Sequence, residues 1–151
     1  MPLVKTHGFA MTSYDLMTRY PWWSVDSSSW AKAAGVGSVY VPHYRDGKFT
    51  FAIPPHAVTF NWRPEGTAKA MDKKSYAALR PMAKEIIKKW LDTIRVPLGR
   101  VDADGEPVEY GVMSEYQARA IANLRFFEAF AKWLPKWPWP FKLRPQQGFF
   151  R

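Results

Sequence analysis

No cysteine occurs in the 151 residues. Disulfides, thiolate nucleophiles and Cys-ligated zinc or iron–sulfur centres are therefore excluded. No uninterrupted apolar run reaches the roughly 18 residues that a membrane-spanning helix needs. The opening Met1-Pro2-Leu3-Val4-Lys5-Thr6-His7 lacks the apolar centre of a secretory signal, so a soluble, cytoplasmic protein without membrane contact is expected. A glycine-rich phosphate loop, a nucleophile elbow and an HExxH zinc motif are also missing, and no cofactor is expected. Histidine is scarce: His7, His43 and His56 stand far apart in the chain. His7 and His43 each border an expected strand, but isolated imidazoles are usually hydrogen-bonded structural residues, so no metal site is read. Acidic residues are outnumbered, 13 against 22 Lys and Arg, giving a formal charge of +9. That excess favours contact with a polyanion, and nucleic acid is the expected partner.

Aromatics, by contrast, are abundant at 17%, with eight Trp, and there are 13 prolines. Large aromatic side chains bury much area each, so a short chain can still build a core or offer an adhesive face. The length suits a single domain over residues 1–151, and it is well short of the about 250 residues of a complete eight-stranded (β/α) barrel.

Residues 1–43 alternate short apolar runs with helix-like pieces, the pattern of βα units on a parallel sheet. Ser13 is placed to cap a first helix with Tyr14, Leu16 and Met17 on its apolar side, ending before Pro21. Residues 44–72 read as a hairpin turning at Asp46-Gly47, interrupted by Pro54-Pro55, and then a loop through Asn61–Gly66. Residues 73–134 read as helical. A helix from about Lys74 to Arg95 is expected to bury the stripe Leu79, Met82, Ile86, Trp90 and Ile94, with its first turn separated or kinked at Pro81. A small hairpin between Leu98–Val101 and Pro107–Tyr110 follows. A second helix is expected from a capping box at Ser114 and Gln117 to Trp133, burying Ile121, Leu124, Phe127 and Ala131, with Phe126, Phe130 and Trp133 beside them. Prolines forbid a helix in residues 135–151, which read as an extended arm packed by its aromatics.

Ser24-Val25-Asp26-Ser27-Ser28-Ser29-Trp30 is where chemistry is expected. A carboxylate at the end of a parallel strand, before serines that open a helix, sits where α/β folds present groups to a ligand. Asp26 can equally serve as a helix cap, and spacing alone leaves both roles open.

A resemblance bears on that choice. His7-Gly8-Phe9-Ala10-Met11-Thr12-Ser13, Leu16-Met17-x-x-Tyr20-Pro21-Trp22, Ser24 to Trp30 and Gly37-Ser38-Val39-Tyr40-Val41-Pro42 together resemble the last two strands of the tRNA-guanine (queuine) transglycosylase superfamily. They are most similar to its phage and bacterial deazapurine DNA modification branch. Gly111-Val112-Met113, Asn123 to Phe127 and Trp137 to Phe141 resemble the end of that branch more loosely. The resemblance implies an α/β fold that is a remnant of the closing strands of a (β/α) barrel, with short parallel strands, a small hairpin and two long C-terminal helices. It makes Asp26 the nucleophile that attacks the ribose anomeric carbon, with His7, Gly8, Ser24, Ser27 and Tyr40 around the substrate. A carboxylate suits that task, because two successive displacements let one base leave before another enters. The zinc-binding cysteines of the tRNA enzymes have no counterpart here. The strands that would carry the base pocket and a second catalytic Asp would come from a complementary barrel half or a second copy.

Two functions follow as expectations. One is part of a base-exchanging glycosyltransferase acting on DNA or RNA. The other is a non-catalytic phage-type binding protein, in which Lys132, Lys136, Lys142 and Arg144, beside Trp133, Trp137 and Trp139, grip nucleic acid or a host protein complex.

Overall fold

The computed structural model describes residues 3–60 and 74–142, and shows a mixed α/β chain. The elements are β1 (His7–Phe9), α1 (Tyr14–Arg19), β2 (Ser24–Asp26), α2 (Ser29–Gly35), β3 (Ser38–Val41), β4 (His43–Arg45), β5 (Lys48–Thr50), β6 (His56–Thr59), a 3-10 turn (Tyr76–Ala78), α3 (Pro81–Thr93), β7 (Arg100–Val101), β8 (Pro107–Glu109) and α4 (Tyr116–Trp133). They divide into two compact units, one formed by the chain before Ser29 with the segment after Trp133, the other by the stretch Ser29–Trp133. Among the described residues the strands make four two-stranded sheets and no closed barrel, and no helix is long and apolar enough to cross a membrane.

The first unit is a βαβ motif. β1 and β2 run parallel, with His7 opposite Ser24, Gly8 opposite Val25 and Phe9 opposite Asp26. α1 forms the crossover: the Ser13 side chain accepts from the Leu16 N–H at its start, and Asp15 in the first turn and Arg19 in the last suit the helix dipole. Tyr20 is extended, as a residue before proline must be, and the helix stops there. The described part of the segment after Trp133 packs on this motif. Trp139 is buried, Trp137 meets Trp23 edge-on at 5.3 Å, Phe141 meets Tyr20 at 6.1 Å, and the Lys142 N–H donates to the Arg19 carbonyl at 2.9 Å.

In the second unit β3 pairs antiparallel with β6, and β4 with β5. The expectation that β3 would extend a parallel sheet is therefore corrected. The chain reverses between β4 and β5 at the Asp46-Gly47 turn, where both residues have positive φ, +50° and +78°. That is a type I′ geometry, and so tight a turn joins only antiparallel strands.

Two helix faces differ from expectation. Pro81 is the first residue of α3, and the 3-10 turn Tyr76–Ala78 stands apart before it, as the separated first turn at Pro81 was expected to do. Its buried residues are Ile87, Trp90 and Leu91, while Met82 is 74% exposed. α4 buries Ala118, Ala122, Asn123, Phe126 and Phe130, whereas Ile121 and Leu124 are 44% and 45% exposed. Small residues decide this face: Ala118 and Ala122 let α4 approach α2, whose Ala34 is fully buried. Nor does Ser114 cap α4, since its hydroxyl donates to the carbonyls of Glu109 and Gly111. The loop before α4 carries the β7–β8 hairpin, closed where Gly99 (φ +72°) and Gly111 meet backbone to backbone, too close for a Cβ on either. The expected loop at Asn61–Gly66 lies outside the described residues.

Asn123 fastens the second unit. Fully buried, its Oδ1 accepts from the Tyr40 N–H at 2.9 Å, and its Nδ2 donates to the carbonyls of Trp30 at 3.0 Å and Ser38 at 3.1 Å. One side chain thus satisfies backbone groups of α2 and β3 from α4. Asn123→Leu leaves those groups buried without partners and is expected to cost about 3 kcal/mol. Ile121→Ser on the exposed face should change stability by less than about 0.5 kcal/mol, both read from urea unfolding.

Candidate functional site

β1 and β2 present four side chains on one face. Residues two apart on a strand share a face, so His7 and Phe9 lie beside Ser24 and Asp26, while Gly8 is buried and Val25 half-buried on the other face. The His7 Nδ1 stands 2.8 Å from the Ser24 Oγ, and its Nε2 stands 3.6 Å from the Asp26 Oδ2. The other carboxylate oxygen accepts from the Ala10 N–H at 3.2 Å. Ala10 has φ +58°, a left-handed conformation that costs a non-glycine residue on the order of 1 kcal/mol. In that conformation its N–H meets the carboxylate. Asp26 is thus held from one side by a backbone donor and faced from the other by an imidazole.

A neutral His7 that accepts from the Ser24 hydroxyl at Nδ1 carries its proton on Nε2, facing the negative carboxylate. The order Ser–His–Asp also occurs in acyl-transfer triads, but there the orienting carboxylate is buried. Here the Asp26 side chain is 60% exposed. It is open to attack an electrophile itself.

Sequence reasoning missed Phe9. It is 73% exposed, stands directly opposite Asp26 in the register and packs edge-on against the His7 ring at 4.5 Å. Its i+2 spacing from His7 was the available signal. An exposed aromatic face of this kind can stack on a flat ring.

The other expected substrate contacts are placed differently. Gly8 is buried, and a Cβ on it would fall 2.9 Å from the Cβ and Cγ of Met11 and 3.1 Å from Trp22. Its lack of a side chain lets those side chains close over the strand. Ser27 is half-buried immediately after β2. Tyr40 belongs to the second unit, packed between Phe126 and Phe127 at 5.6 Å from each, and burial raises its hydroxyl pKa.

Of the basic residues, Lys132 donates to Glu128 at 2.9 Å, and Arg125 donates to the same carboxylate at 3.1 Å. Those two bonds hold Glu128 below the usual carboxylate range, Lys132 foremost. Lys142 lies over the Trp139 ring at 5.7 Å. Lys136 is exposed, and Arg144 lies outside the described residues. Because Trp139 is buried and Trp133 packs on Phe51 and Phe130, these tryptophans serve mainly as packing. His43 belongs to the second unit, where its ring lies tilted against that of His56, centroids 3.9 Å apart. Among the described residues no three His, Cys, Asp or Glu side chains are grouped to hold a metal.

Compared with protein-family models, with curated proteins and with solved structures, the chain gives no match in any of the three.

Because His7 and Asp26 are exposed, Asp26→Asn and His7→Gln should each change stability by less than about 1 kcal/mol. Gly8→Ala overpacks the strand and should cost about 1–3 kcal/mol. Thermal unfolding of the three variants checks this contrast.

Proposed function

We propose that the chain supplies the nucleophilic carboxylate of a nucleobase-exchanging transglycosylase acting on DNA or RNA. The observation that carries this reading is the exposed Asp26 at the carboxyl end of a parallel strand pair, beside the exposed ring of Phe9. The formal charge of +9 fits a polyanionic substrate, and the resemblance of residues 7–42 to the transglycosylase superfamily supports the same chemistry.

The reaction divides into two displacements. The base stacks on Phe9 while an Asp26 oxygen attacks C1′ of the sugar. The C1′–N bond breaks, its electron pair leaves with the base, and the departing nitrogen takes up a proton from solvent. A glycosyl ester on Asp26 results. A second base then attacks C1′ through its ring nitrogen, loses its proton to solvent or a neighbouring base, and releases the carboxylate. Both steps are redox-neutral and need no cofactor. The Ala10 N–H and His7 fix the angle of the carboxylate, and positioning of this kind contributes much of the rate in bimolecular displacements.

In this reading β1 and β2 belong to the closing strands of a (β/α) barrel completed by a partner. Neither pairs with a third strand among the described residues, and two strands alone are marginally stable in water. Their outer edges suit strands from a complementary half or a second copy.

The test is incorporation of radiolabelled guanine into DNA and into tRNA by the full chain, purified in the assembly that it forms in its own cells. Wild type should incorporate label, and Asp26→Asn should lose at least about 10³-fold at unchanged assembly mass. Incorporation by Asp26→Asn at the wild-type rate overturns the nucleophile. A monomer that binds nucleic acid in a salt-dependent way, incorporates nothing and is indifferent to Asp26 establishes the binding-protein reading instead.

A further inference from the structure

Charge is unevenly distributed along the second unit. Residues 43–50 and 80–95, which contain β4, β5 and α3, carry seven Lys and Arg against three acids, whereas residues 96–133 carry four against six. The basic elements are packed together. On one face of the β4–β5 ribbon Tyr44 lies opposite Phe49, Phe49 meets Trp90 of α3 edge-on at 5.1 Å, and the Tyr44 hydroxyl accepts from Lys89 of α3 at 2.8 Å. Side chains alternate along a strand, so Arg45 and Lys48 belong to the other face, directly opposite one another beside the turn. Both are exposed, and neither forms an ion pair among the described residues. On α3, Lys84 and Lys88 stand one turn apart, with Lys84 over the Tyr76 ring at 5.4 Å and Lys88 paired with Asp92 at 2.7 Å.

We propose that the β4–β5 ribbon and α3 form a surface that grips the phosphodiester backbone of nucleic acid, with Arg45 and Lys48 on neighbouring phosphates and Lys84 and Lys88 beside them. The cross-strand pair argues for an anion. Like charges directly opposite on a two-stranded ribbon destabilise it, and a phosphate between Arg45 and Lys48 turns that repulsion into two charge-assisted contacts. The segregation of charge argues for a polymer, because a row of cations on one side of the unit matches a row of phosphates better than a single small ion. A lipid surface fits less well. An interfacial helix must offer an apolar face to the bilayer, and the apolar residues Ile87, Trp90 and Leu91 of α3 are buried within the unit. The surface also differs from the expected grip at Lys132, whose charge is engaged by Glu128.

These residues all lie in the second unit, and binding is measured without turnover, so the surface and the Asp26 nucleophile stand or fall separately. The test is fluorescence anisotropy of the full chain with labelled duplex DNA, single-stranded DNA and tRNA over a range of salt. The tightest-bound of the three identifies the polymer. The double variant Arg45→Gln/Lys48→Gln should bind it about tenfold more weakly at about 0.1 M NaCl, and the slope of log Kd against log salt should fall by about two. Arg100→Gln/Arg125→Gln removes the same charge from residues paired with Glu109 and Glu128, and should leave that slope unchanged. In wild type, bound nucleic acid should protect Lys48 and Lys88 from acetylation, read by peptide mass spectrometry, and leave Lys132 as reactive as in the free chain. Equal losses in the two double variants, binding without salt dependence, or no protection of Lys48 and Lys88 each overturns the proposal. So does equal or tighter binding to phosphatidylserine vesicles or to polyglutamate. The protection and competitor measurements use wild type alone and stand whatever the variants do.

Discussion

Parallel pairing of β1 with β2 in a single register is the constraint from which the candidate site follows. Side chains alternate faces along a strand, so sliding either strand by one residue would turn His7 and Phe9 away from Ser24 and Asp26. The register is held from the buried side. Gly8 has no side chain because Met11 and Trp22 occupy that space, and Val25 opposite it is half-buried. Outward, the same register lets one imidazole reach both Ser24 and Asp26. The packing of a glycine thus determines where a carboxylate is displayed.

A different economy governs the second unit. Its strands are short and pair two by two, so sheet hydrogen bonding alone gives little cohesion. Asn123 compensates by joining α4 to the backbone of α2 and β3. The aromatic cluster of Phe51, Trp90, Phe126 and Phe130 supplies the apolar mass around it. Apolar burial gives the energy, and the amide makes one helix orientation better than its neighbours, because any rotation of α4 leaves three backbone groups without partners.

Local signals were legible in the sequence wherever the physics is local. Ser13 as a cap, Pro21 as a stop, Asp46-Gly47 as a tight turn, the small hairpin before α4 and the aromatic arm after Pro135 all depend on residues a few positions apart. The βαβ order around Asp26 was legible for the same reason. The faces of α3 and α4 were not. Periodicity picks out the largest aliphatics, such as Met82, Ile121 and Leu124, but burial is decided by which face a neighbour can approach, and Ala118, Ala122 and Asn123 set that in α4. The His43–His56 ring contact was equally hidden, since it needs the β3–β6 register, a long-range fact. Phe9 stood in plain view two residues from His7, but its meaning depends on being exposed, and no residue pattern states that.

Asp26, the proposed nucleophile, is held in the open by Ala10 and His7. A carboxylate that merely caps α2 or pairs with an imidazole never carries a sugar. The most direct measurement is therefore intact-protein mass spectrometry with peptide mapping, after an acid quench of the assembled protein turning over a DNA or tRNA substrate. A glycosyl adduct confined to Asp26, within Ser24–Trp30, is the predicted result. Turnover with no adduct on that peptide, or with the adduct on another carboxylate, would contradict it.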